Sequence, residues 1–478
     1  MASTFGSEKV TRGKLNPRVT ACLGALVFAT TIAMTYSHPV KAETQALSDA
    51  LTTAYMTNPT LLARRARLRS TDEGVPQALS NWRPDVSLSM GGGYSDVLNT
   101  NGTGTAREQW RNSTDYSIDV TQPLFRGGRT LAATSEAENS IRAERARLLS
   151  VEQTVLLDTI SAYMDVFRDE AVLKLNINNE QVLSRQLEAT RDRFEVGEIT
   201  RTDVHQAEAR RAQAKADRIQ SEGDLEASRA AYLNSVGEAA PGGLSSPDLP
   251  EDLPEMKETA LKIAAVKSPL VIAADFDRLA ALDNTDQVWG ELLPELQLTA
   301  GYSRAFEGAA EQGRIDTAKV GLSLAVPIYQ QGAVYSRLRE ARQSAAERTF
   351  TVDEQRRVAV ETASRAWEAL QTAKARVVSF QAQIEANVVA LEGVQREASV
   401  GSRTVLDVLD AEQELLDSRV AHARARRDEL VAAYEVKSAL GQMTARDLKL
   451  PVTLYDPREH YREVRGKWFG GRASGDGQ

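Results

Sequence analysis

The sequence predicts an α+β membrane protein built twice over, in which four β-strands feed exceptionally long α-helices. Three observations carry that prediction. The chain repeats itself at a constant spacing, its proline-free stretches are very long and patterned like coiled coils, and four short segments alternate apolar with polar residues.

The leading segment is read as a targeting signal rather than as fold. Lys9, Arg12, Lys14 and Arg18 precede an apolar run from Val19 to Tyr36, and Val40-Lys41-Ala42 offers small residues for cleavage, so residues 1–42 are a signal peptide. Cys22 opens the apolar run instead of following it, which argues against lipidation. Without residues 1–42 the chain carries 58 − 5 = 53 basic and 66 − 1 = 65 acidic residues, a net charge of −12. An acidic chain is a poor nucleic-acid binder. Cys22 is the sole cysteine, so the mature protein has no thiol for catalysis, disulfides or metal binding. No later segment is apolar for long enough to form a transmembrane helix, so any membrane crossing is by strands.

The repeat divides the mature chain. Gln122-Pro123-Leu124-Phe125 and Gly128 have counterparts in Val326-Pro327-Ile328-Tyr329 and Gly332. Val196-Gly197 matches Val400-Gly401, Asp203-Val204 matches Asp407-Val408, and each pair is 204 residues apart (327 − 123). Asn58-Pro59 answers Ser268-Pro269, and Pro84 answers Pro294. The first repeat occupies 43–240 with strands at 85–98 and 113–123, and a Pro/Gly/Ser-rich linker follows at 241–254. The second repeat occupies 255–441 with strands at 295–306 and 317–327, and 442–478 is a C-terminal extension that reads as disordered after Trp468.

No proline interrupts the chain between Pro123 and Pro241 or between Pro327 and Pro451. Apolar stripes run through these stretches, as Ile160, Tyr163 and Phe167 and again as Val377, Phe380, Ile384, Val388 and Leu391. A helix from Gly128 to Val196 would be roughly 100 Å long at 1.5 Å per residue. In the strands, Val86, Leu88 and Met90 alternate with serines, as do Tyr116, Ile118 and Val120 with polar residues. The second copy repeats this with Leu296, Leu298, Ala300 and Tyr302, then Val320, Leu322, Leu324 and Val326. Segments of about ten residues suit a tilted bilayer-crossing strand. Four such strands are too few to close a barrel in lipid, so oligomerisation follows: two chains would give a barrel largely filled by side chains, and three would give about twelve strands with room for a lumen. Ser87, Ser117, Asp119, Gly321 and Ser323 would face that wet lumen.

The duplicated halves, the proline–glycine corners (Pro123, Gly128, Pro327, Gly332) and the turns VGEITRTDV at 196–204 and VGSRTVLDVLDAEQ at 400–413 resemble the TolC family of outer-membrane efflux and secretion proteins. Tyr455-Asp456-Pro457, His460-Tyr461, Lys467 and Trp468 look like the branch serving type I secretion. The resemblance implies a homotrimer whose twelve-stranded barrel sits in outer-membrane lipid and is continued by a coiled-coil tunnel in the periplasm. It also implies docking to a periplasmic adaptor (a membrane fusion protein) and an inner-membrane ABC or resistance-nodulation-division transporter.

The two turns mark the tunnel end: Val196, Gly197, Thr200, Val400, Gly401 and Thr404 form the expected adaptor-docking tip. Gly197 and Gly401 suit helix C-caps, while Thr200 with Asp203 and Thr404 with Asp407 fit capping boxes, so either aspartate has a purely structural use. By resemblance Asp407 and Asp410 line a constriction, a ring of carboxylates favouring cations. Arg403 matches a closing arginine whose partners are Thr202 and Asp203, and Ala398 stands where the family has a second closing residue, a tyrosine. No phosphate loop, metal spacing or nucleophile motif appears, and His205, His422 and His460 read as solvated. The chain reads as no enzyme and needs no cofactor. An exported coiled-coil scaffold and a general diffusion porin are the alternative classes. The first leaves the strand pairs unexplained and the second the rods.

Overall fold

The computed structural model describes residues 46–100, 106–250, 252–307 and 313–472. The signal peptide and the outermost tail lie outside the described residues, as do parts of both loops that join paired strands. The first copy runs α1 (Leu47–Thr57), α2 (Pro59–Asp72), α3 (Gly74–Ser80), β1 (Asp85–Thr100), β2 (Ala106–Arg126), α4 (Arg129–Glu195) and α5 (Arg201–Val236). The second runs α6 (Lys257–Lys267), α7 (Pro269–Gly290), β3 (Glu295–Phe306), β4 (Arg314–Ala325), α8 (Ala333–Ser399) and α9 (Val405–Ala439), and α10 (Glu459–Val464) follows.

Local chemistry sets each boundary. Pro59 and Pro269 occupy the first turn of α2 and α7, where no intrahelical donor is needed, and the Asn58 side chain accepts from Thr60 N at 3.0 Å. The rods α4 and α8 are 67 residues each, about 100 Å at 1.5 Å per residue. Both start after a left-handed glycine, Gly128 at φ 77° and Gly332 at φ 80°. Each folds back into its shorter partner, α5 or α9, through a turn whose glycine (Gly197 or Gly401) has φ 81°.

The four strands form one antiparallel sheet in the order β1-β2-β3-β4. Strand β2 begins at Ala106, earlier than the alternation predicts, because its first half pairs with β1 through polar residues that carry no apolar rhythm. Its register slips between Pro123 and Phe125, where proline has no N–H for the ladder.

The largest buried cluster lies where α1 and α2 pack on α4, α5, α9 and the C-terminal segment. It includes Leu61, Ile160, Tyr163, Tyr232, Tyr434 and Met443. Tyr163 Oη donates to Ser245 O at 2.8 Å and so ties the interrepeat linker to this core. The second predicted stripe is different: Leu391 is buried, but Val377, Phe380, Ile384 and Val388 are only half-buried within one chain. Among the described residues no helix is long and apolar enough to cross a membrane.

Candidate functional site

The sheet register sorts side chains by parity. Leu88 pairs with Ile118, Ile118 with Tyr302 and Tyr302 with Ala318, which makes one apolar row. On the other face Ser89, Ser117, Ser303 and Thr317 form a row of hydroxyls. The hydroxyls of Ser89 and Ser117 are 2.7 Å apart, Ser117 donates to Asp119 at 2.7 Å, and Lys319 Nζ lies 3.7 Å from Asp119. Ser87, Gly321 and Ser323 share that polar face. On the apolar face Val320 is 79 % exposed, and Val86, Leu88 and Met90 are similarly open. A contiguous apolar surface of this extent on a folded sheet marks contact with lipid or protein. Both outer edges, β1 and β4, lack a neighbouring strand among the described residues.

Two glycines that sequence reasoning passed over make the corner below the sheet. Gly127 has φ 60°, and a Cβ added there would collide with the Gly290 carbonyl and approach Leu293 Cβ at 2.8 Å. The reciprocal Cβ on Gly290 would lie 2.6 Å from Gly127 O. Backbones from the two copies touch here, so the close approach was invisible in either copy alone. Gln331, at the position matching Gly127, adopts the same positive φ of 54°.

At the far end, both capping boxes are formed. Thr200 N and Thr200 Oγ1 donate to Asp203 at 2.9 and 2.7 Å, and Thr404 N and Oγ1 donate to Asp407 at 2.9 and 2.8 Å. The Thr404 N–H and hydroxyl hold the Asp407 carboxyl below the usual aspartate range, with help from Arg403. Within one chain Arg403 does not meet Thr202 or Asp203. Its Nε donates to Glu397 at 2.9 Å across its own turn, with Asp407 at 4.0 Å. Asp203 is meanwhile occupied by Thr200. Asp410 is not a lone carboxylate, because Arg210 of the first hairpin donates to it. Val196 and Val400 stand exposed at the two turns beside Gly197 and Gly401. A small core of Leu183, Leu187, Val204, Ala207, Val405 and Leu409 locks the two hairpins together just behind them.

The expectation that His460 is solvated is corrected. Its ring nitrogen sits 3.2 Å from the buried Asp72 carboxylate, and it is part of a clasp with Tyr461, whose hydroxyl donates to Glu138 at 3.1 Å. Among the described residues no cluster suits a metal ion.

Known proteins resemble this chain in sequence and in fold. The model of the family described as outer membrane efflux protein matches residues 50–238 and 260–442, one span in each copy. Outer membrane efflux protein BepC of Brucella suis biovar 1 is 34% identical over 451 residues, covering 94% of this chain and 97% of the relative. Outer membrane protein TolC of Escherichia coli is 26% identical over 409 residues, with 83% and 82% covered. The alkaline protease secretion protein AprF of Pseudomonas aeruginosa is 22% identical over 380 residues, with 76% and 77% covered. Among solved structures, the outer-membrane channel OprN superposes with a TM-score of 0.72 at 21% identity, over 83% of this chain and 89% of that one. The Campylobacter jejuni CmeC outer membrane channel gives 0.74 at 15% identity, over 83% and 85%. With both copies matched, the chain belongs to the outer membrane efflux protein family, transport proteins with a TolC-like fold located in the Gram-negative outer membrane.

Proposed function

We propose that three copies close their sheets edge to edge, β4 of one against β1 of the next, and that the rods prolong the resulting pore into the periplasm. The observation that carries this reading is the sheet itself: one apolar face, one hydroxyl-lined face and two open edges. Open edges are not tolerated in hydrocarbon, and closing about twelve strands leaves an aqueous interior. The half-buried stripe on α8 has the same reading, since it is apolar and lacks a full partner within one chain.

The duct takes cargo from an inner-membrane pump through a periplasmic adaptor that grips the turns around Gly197 and Gly401. Asp407 and Asp410 narrow the tip into a cation-favouring ring, and the hairpin–hairpin pair Arg210–Asp410 helps keep it closed. Arg403 is available to reach Thr202 and Asp203 of an adjacent subunit. Serving type I protein secretion is supported by the likeness to AprF, and drug export by the likeness to an efflux protein, BepC. Transport here needs no chemistry from the chain itself. A deletion strain tested both for missing exported proteins and for drug sensitivity decides between cargoes. Normal secretion together with normal drug resistance would count against the proposal.

A further inference from the structure

The C-terminal segment leaves the central core and climbs beside α2 and α4 towards the membrane end. Ala445 N donates to Glu152 at 2.7 Å, Tyr461 to Glu138 at 3.1 Å, and Arg83 Nη1 donates to Lys467 O at 2.8 Å. Glu152 and Glu138 are 23 and 9 residues into α4 (152 − 129 and 138 − 129). At 1.5 Å per residue the segment therefore rises by about 20 Å between those two bonds. Arg83 stands two residues before β1, so the segment reaches the base of the sheet.

What it delivers there is unusual for a water-exposed terminus. Trp468 is 58 % exposed and Phe469 is 87 % exposed. Lys467 Nζ donates to Arg472 O, and Gly470 has φ 103°, which folds residues 467–472 into a tight loop with both aromatic rings on it. The Arg83 guanidinium lies 4.9 Å from the Trp468 ring and fixes its position. Trp82, Phe125, Trp289 and Tyr329 are likewise exposed around the strand–helix corners. The loop, Trp468 and Phe469 included, forms one wall of an open cleft of about 530 Å³, whose lining also holds Arg69, Ser70, Glu73 and His460, with cations in excess.

We propose that residues 467–472 are a lipid-interface anchor, seating Trp468 and Phe469 among the phospholipid headgroups of the periplasm-facing leaflet. The inference rests on the membrane-spanning reading of the sheet and extends it to a segment outside the sheet. Amphipathic aromatic rings favour the headgroup layer, and neighbouring Lys and Arg favour anionic phosphates there. The clasp of His460 and Tyr461 holds the segment at that height, so the anchor is pre-positioned rather than floating.

The test uses the full mature chain, which contains no native cysteine once residues 1–42 are removed. Phe469→Cys is labelled with an environment-sensitive fluorophore and reconstituted into phosphatidylethanolamine–phosphatidylglycerol vesicles carrying a headgroup-level nitroxide lipid. Leu322→Cys, on the apolar face of β4, serves as the membrane control, and Val378→Cys on the α8 rod as the aqueous one. The expected result is quenching at 469 severalfold greater than at 378. Quenching at 469 no greater than at 378, with 322 quenched, would overturn the anchor and leave the barrel intact. The same outcome would follow if the rings packed against a neighbouring copy or faced the lumen. Absence of quenching at 322 as well would remove the membrane reading and the anchor with it.

Discussion

Arg210 on α5 donates to the carboxylate of Asp410 on α9, and so joins the tip of the first hairpin to the tip of the second. Both side chains are substantially solvent-exposed. The contribution of such a pair to overall stability is therefore small, and its importance lies in position. It is an ion pair between the two hairpins, and under the proposed function it opposes their separation at the tip.

Removing either partner should loosen the tip, with opposite electrical consequences. In single-channel bilayer recordings Arg210→Ala is expected to raise conductance severalfold and to increase cation selectivity, because Asp410 loses its cation. Asp410→Ala should raise conductance and reduce cation selectivity. The swapped pair, Arg210→Asp with Asp410→Arg, should return conductance towards the starting value. Arg403→Ala, which breaks a contact within one hairpin, should have the smaller effect. Equal conductance in all four variants would exclude this pair from closure.

The glycine corner gives a paired test of backbone strain against steric exclusion. Gly128 is left-handed with open space around its missing Cβ, so Gly128→Ala should cost about 1–2 kcal/mol for the left-handed backbone alone. Gly127 is left-handed and jammed against Gly290, so Gly127→Ala should be far worse and prevent assembly. Yield of assembled protein in isolated outer membranes reads the difference. Similar yields from the two variants would show that the contact between Gly127 and Gly290 does not constrain the corner.

Glu152 provides a pH signature. Burial pushes its carboxyl above the ordinary glutamate range, although the Ala445 N–H and Arg65 oppose that. At a pH between the ordinary and the elevated value, the folded state holds a proton that the unfolded chain has released. Stability from this group is complete below the ordinary glutamate pKa and is lost as pH rises through the elevated one. The amide introduced by Glu152→Gln keeps an oxygen for the Ala445 N–H without the charge. That variant should therefore match the parent protein near about pH 4 and exceed it increasingly at higher pH, by about 1.4 kcal/mol for each tenfold change in the ionisation equilibrium. Thermal unfolding across that range tests it. A stability difference independent of pH would show that burial does not suppress ionisation of Glu152.

Much of the architecture was legible because duplication made the sequence its own comparison. Pro123 with Pro327 and Gly197 with Gly401 fixed the corners and turns, and the capping boxes followed from Thr200 and Thr404. What stayed hidden involves residues that meet only in space. Gly127 and Gly290 are 163 positions apart (290 − 127), and nothing local signals their contact. Nothing around Asp410 in the sequence signals its cation, because Arg210 comes from the other hairpin. The polar first half of β2 has no alternation to read, yet it pairs with β1 all the same. His460 looked like a tail histidine because its anchor, Asp72, lies in the first helices.

The two copies also dictate the register of the proposed subunit seam. Strand partners across β2 and β3 sum to 420, as in Ser117 with Ser303. Passing from β2 to β4 adds 204 (327 − 123), and from β3 to β1 subtracts 210 (294 − 84), giving 420 + 204 − 210 = 414. Ala325 of one subunit should then face Ser89 of the next, and Ser323 should face Gly91. The direct measurement is oxidative cross-linking of Ser89→Cys with Ala325→Cys, and of Gly91→Cys with Ser323→Cys, in intact outer membranes. Covalent species up to the mass of three chains from either pair, and none from pairs displaced along the seam, is the predicted result. Oxidised protein running only at the mass of one chain would contradict a barrel shared between subunits.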